Sequence, residues 1–148
     1  MRTVRRLFGF AALASVTLPG CNAGKNTSAP QAPHLAGTEW SLEELSGKPV
    51  IANSRATLDF PRSGGVKGNG SCNRFAGAAT MRGNSIRLGP KAATKMRCDP
   101  DASDQEAEYF KALDGARRFE LQEGKLLLFV DGSDQPLRFR PAQPGEDR

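Results

Sequence analysis

From Thr38 to Arg140 the chain is a succession of short apolar–polar alternations cut by Gly, Pro and Asn, and the period becomes helical only once. Alternation at period two sends successive side chains to opposite faces, so such a chain folds as strands with one buried face each. Thr38–Leu45 carries Trp40 and Leu42 two apart and runs into Ser46-Gly47-Lys48-Pro49, which predicts a first strand and a turn. Val50 and Ile51 are read as the start of a short second strand. Ala56–Phe60 puts Leu58 and Phe60 on one face and Thr57 and Asp59 on the other, and Pro61 ends it. Glycines 64, 65, 68 and 70 around Val66 predict a tight hairpin or bulged strand. They do not make a phosphate loop, because neither Gly-Lys-Ser/Thr nor a helix follows. Thr80-Met81 and Ile86–Leu88 flank Arg82-Gly83-Asn84, a hairpin signal.

The one helical stretch is predicted to begin at Ser103, three residues before Glu106 in the capping-box spacing. Tyr109, Phe110 and Leu113 recur at helical intervals, and Gly115 is placed to stop the helix near Asp114 after about three turns. Strand patterns then return at Phe119–Leu121, Leu126–Val130 and Leu137–Arg140, separated by turns at Glu123-Gly124 and 131–134. Short turns between consecutive strands imply an antiparallel meander. The expected fold class is therefore mostly β (α+β): a small antiparallel curved sheet of about eight strands, with one inserted α-helix closing an end or a face.

The ends of the chain carry different information. Arg2, Arg5 and Arg6 precede Leu7–Leu18, a stretch that is apolar apart from Gly9, Ser15 and Thr17 and far shorter than the roughly 20 residues a bilayer span needs. This is the build of a secretory signal. Leu18-Pro19-Gly20-Cys21 resembles the bacterial lipobox, which implies cleavage before Cys21 and a diacylglyceryl group on its thiol; the alternative is an ordinary export signal followed by a cysteine. Asn22 beside Cys21 resembles lipoproteins sorted to the outer membrane. Residues 1–20 are thus expected to be a signal peptide, 21–34 a flexible tether of polar and small residues, 35–140 one folded domain and 141–148 a polar tail.

Charge follows from that division. The whole chain has a formal charge of +5, from 21 basic and 16 acidic residues, but the first twenty residues hold three of the arginines and no acid. The remainder carries 18 basic against 16 acidic groups, so its net charge is only +2 and gives no reason to expect nucleic-acid binding. With Cys21 acylated, Cys72 and Cys98 are left. In an oxidising compartment their expected state is a disulfide; a metal site is the alternative, poorly supplied by a chain whose single histidine, His34, lies in the tether.

Gly70-Ser71-Cys72-Asn73-Arg74-Phe75-Ala76-Gly77, then Thr94-Lys95-Met96-Arg97-Cys98, then Gln105-Glu106, together resemble the META domain family of HslJ-like, heat-shock-inducible bacterial envelope lipoproteins. The resemblance covers about residues 35–140. It implies a β-barrel of lipocalin-like topology, a Cys72–Cys98 pair and an association with envelope stress, and it implies no known reaction.

Asn73, Arg74 and Phe75 are the candidate binding surface. Each also has a structural reading, as a turn-forming amide, an ion-pair partner and a core aromatic. Asp99, Asp101, Asp104, Glu106 and Glu108 lack the glycine turn and closing glutamate of an EF-hand and suit the start of a helix, so no metal is expected. Glu43 and Glu44 face opposite sides of a strand, and a domain without histidine offers no Ser-His or Cys-His nucleophile. No catalytic residues and no cofactors are expected. The expected protein is a monomeric, membrane-tethered, non-enzymatic module at the outer membrane facing the periplasm, contacting a periplasmic or envelope protein. The alternative is a carrier holding a small apolar ligand inside a β-barrel.

Overall fold

The structure, a computed structural model, describes residues 34–145. Cys21, the signal segment, nearly all of the expected tether and Glu146–Arg148 lie outside the described residues. Nine strands and one helix follow in chain order: β1 (Thr38–Leu45), β2 (Lys48–Pro49), β3 (Thr57–Phe60), β4 (Val66–Asn69), β5 (Arg74–Arg82), β6 (Ser85–Ala93), α1 (Pro100–Asp114), β7 (Ala116–Gln122), β8 (Lys125–Val130) and β9 (Leu137–Pro141). Every pairing is antiparallel.

Apart from the short β2, the strands follow one another around the sheet, and β9 returns to β1 through Trp40 opposite Pro141, Ser41 opposite Arg140 and Leu42 opposite Phe139. That closure makes an eight-stranded up-and-down barrel. The mostly β class with one inserted helix holds, and of the two shapes expected it is the barrel. The helix enters between β6 and β7, whose ladder is only Ser85 opposite Arg118.

One contiguous cluster of buried side chains fills the interior, including Trp40, Leu58, Phe60, Phe119, Leu128 and Phe139. Tyr109 and Leu113 of α1 enter it fully buried, and the Tyr109 ring stands 6.3 Å from those of Phe75 and Phe139. This corrects the carrier alternative. The aromatic and branched side chains a lipocalin-type ligand would displace are here packed against one another, because the helix inserts its own apolar stripe into the barrel.

Three local expectations also change. The second strand is Lys48–Pro49 rather than Val50-Ile51, because Ser46 and Gly47 both adopt positive φ and turn the chain back within two residues. β5 and β6 are nine residues each, extending well beyond the short apolar pairs legible in the sequence. Finally, the helix starts at Pro100, with Asp99 at the N-cap making no side-chain capping bond, so Ser103 lies inside the first turn. Proline tolerates the first helical position because its missing N–H would have no helical partner there.

Candidate functional site

Glu106 does not return to the Ser103 amide as a capping box would have it; its carboxylate crosses to the turn between β4 and β5. One oxygen accepts from the backbone N–H of Cys72 (3.2 Å) and of Asn73 (2.5 Å), and the other from Nδ2 of Asn73 (2.7 Å). Asn73 completes its amide on the far side, where Oδ1 accepts from the Thr94 hydroxyl (2.9 Å) and from the Met96 backbone N–H (2.7 Å). Cys72 and Cys98 are joined as a disulfide with Cα atoms 5.8 Å apart. The β4–β5 turn, the 94–98 loop and the helix are therefore tied at one point.

A second set of bonds lies beside the first. Gln105 accepts from the Ile51 N–H (2.7 Å) and donates to the hydroxyls of Ser54 (2.8 Å) and Ser71 (2.5 Å). The fully buried Tyr109 hydroxyl donates to the Thr57 carbonyl (3.1 Å), and burial pushes its pKa well above the ordinary tyrosine value. Gly70 makes room for this arrangement: a Cβ there would stand 2.5 Å from Oε2 of Glu106 and 2.8 Å from the Phe110 ring. The polar groups of the helix's inward face are thus matched to partners, as buried polar groups must be.

The structure separates the three residues of the candidate surface. Asn73 is 7% exposed and spent on the polar network, and Phe75 is buried in the core against Tyr109 and Phe110. Both are corrected from surface to interior, since alternation from the exposed Arg74 turns its two neighbours inward. Arg74 alone remains on the surface. Glu43 and Glu44 are held in separate surface ion pairs, with Lys125 (2.6 Å) and Arg138 (3.0 Å).

Next to the network lies a cleft of about 490 Å³ lined by Arg55, Arg74, Thr94, Met96 and the two cysteines of the disulfide, among others. Met96 is 64% exposed, the most exposed large hydrophobic side chain among the described residues. Arg55 in the same lining and Lys95 and Arg97, the sequence neighbours of Met96, are exposed. Sequence reasoning did not single out this cleft or the roles of Ser54, Ser71 and Gln105. A signal for Glu106 was present: it lies three residues before Tyr109 and seven before Leu113, on the helix's buried stripe, where an unpartnered carboxylate would be costly.

The motif residues that resemble a known family are those gathered in this knot, and residues 33–144 match the META domain. The chain belongs to the META domain family. Solved structures share this fold at low identity. An NMR structure of a protein from Burkholderia xenovorans is 22% identical over 74% of this chain and 84% of its own, with a TM-score of 0.60. Another NMR structure is 24% identical over 71% and 89%, with a TM-score of 0.57. The crystal structure of a DUF4847 family protein from Bacteroides vulgatus ATCC 8482 is 15% identical over 72% and 93%, with a TM-score of 0.54. No curated protein shows significant similarity to the chain. At these identities the neighbours speak to the fold of the META domain alone.

Proposed function

We propose that this META domain is a non-enzymatic binding module of the bacterial cell envelope, tethered through a lipid on Cys21 to the outer membrane, facing the periplasm and serving under envelope stress. One observation carries the binding role. The Cys72, Asn73, Thr94, Cys98, Gln105 and Glu106 side chains hold the helix and the 94–98 loop in place, while that loop presents Met96 and its basic neighbours outward. A rigid frame under an exposed apolar residue favours recognition, because ordering has already been completed in the free protein. The tether rests on the signal-like start and Leu18–Cys21, and the stress role on the family likeness.

The test is metabolic labelling with a fatty acid, followed by in-envelope chemical crosslinking of the full chain. The expected result is lipid incorporation and membrane sedimentation, both lost in Cys21→Ala, together with a specific crosslinked partner whose yield rises after heat stress. A soluble, unlabelled product would remove the tether. Absence of any specific partner from both stressed and unstressed envelopes would remove the binding role.

A further inference from the structure

Resting on that binding-module reading, we infer that the cleft between Arg55 and Arg74, beside Met96 and the disulfide, docks an acidic, extended segment of a partner protein. Four observations point to this occupant. First, the cleft is lined by two arginines and no acidic residue. Second, Arg55, Lys95 and Arg97 are exposed and take part in none of the ion pairs among the described residues. Exposed basic groups that are not engaged in ion pairs attract an approaching carboxylate and steer its association.

Third, most of the surface the cleft exposes is apolar. The Cys72–Cys98 bridge and Met96 give a surface that adapts to different side chains, which is how methionine is used at binding faces. The cleft volume lies within the roughly 300–1,000 Å³ range of ligand clefts. Met96 is exposed by construction: its own N–H is held by Asn73, and its loop is fixed at Thr94 and at Cys98.

Fourth, the cleft lies apart from the point where the described chain enters the barrel. The described chain comes into the barrel at Thr38, opposite Phe60, whereas Arg55 precedes the other end of β3. A strand of four residues separates the two points by about 13 Å.

The experiment places a photo-crosslinking p-benzoylphenylalanine at position 96 of the full chain, with a second at position 121 as a remote reporter, in the native envelope. The expected result is a crosslink from position 96 to a protein segment rich in Asp and Glu. Its yield should fall about tenfold in R55E/K95E/R97E, fall less in R55Q/K95Q/R97Q, and decline as salt is raised. Thermal unfolding of each variant checks that these exposed substitutions leave the domain folded. A crosslink from position 96 to phospholipid, to a second copy of the chain or to a segment without acidic excess overturns the inference, as does a yield indifferent to charge reversal. Specific crosslinks from position 121 alone overturn the site and leave the binding-module reading standing. Crosslinks from neither position overturn both.

Discussion

Glu106 is the residue whose role depends most on its distant partners. In a list of acids near a helix start it reads as a cap or a solvated charge, yet it satisfies two backbone amides and a side-chain amide more than thirty residues away. Truncating it leaves those donors buried without an acceptor, so Glu106→Ala is expected to lower stability by about 2–4 kcal/mol in a urea titration. A loss within the error of the titration would show that water replaces the carboxylate. Tyr109 supports a prediction on pH. Its phenol is buried and its pKa is raised by desolvation, so above about pH 10 the unfolded chain releases the proton while the folded chain keeps it. The folded state then binds more protons, and stability, unaffected by this group at lower pH, falls as pH rises. Because the chain has one tyrosine, tyrosinate absorbance reads the group directly. Native protein should titrate well above the unfolded protein, and Tyr109→Phe should remove the group's alkaline contribution at a cost of about 1 kcal/mol near neutrality. Coincident native and unfolded titrations would contradict the burial.

At the scale of elements, strands were legible wherever apolar residues alternate between clear turns: β1 matches its pattern from Thr38 to Leu45, and β9 alternates buried and part-exposed residues as its sequence does. Legibility failed where Gly, Ala and Pro carry the strand. The N-terminal half of β5 and the end of β6 have few large apolar side chains, and Gly77 and Ala79 flank a bulge that absorbs the irregular register. The helix end at Gly115 was correctly placed for a different reason from the one expected. Its φ is −81°, and glycine is needed because a Cβ would stand 2.6 Å from Val130 Cγ1. The element most exposed to test is the 94–98 loop, held by two independent ties. Reducing Cys72–Cys98 releases a 26-residue closure worth about 3–4 kcal/mol, while the Asn73 bonds remain. Reduced protein should therefore unfold at lower denaturant yet keep its helix by circular dichroism. Loss of the helix signal before any denaturant is added would show that the polar network alone cannot hold α1.

For the whole molecule, the balance lies between a filled and a hollow barrel. The buried cluster from Leu35 to Phe139 predicts that folded protein takes up no apolar fluorescent probe saturably, and that Leu58→Ala costs about 2–5 kcal/mol through the cavity it opens. Saturable uptake by the native domain would return the carrier reading to contention. The sequence by itself determined most of the strand and turn order, the single helix, the number of cysteines free to pair and the likeness of motifs to one family. Those properties are written locally, in side-chain period and turn residues, because backbone preference is set by near neighbours. Only the tertiary structure decided that β9 closes on β1, that Asn73 and Phe75 point inward, that Glu106 is a bridge and that Met96 stands exposed. Each of these depends on what lies opposite a side chain across the barrel. The chain brings those partners together only when the hydrophobic core forms, and a local pattern records at most which face is buried, not what lies opposite it.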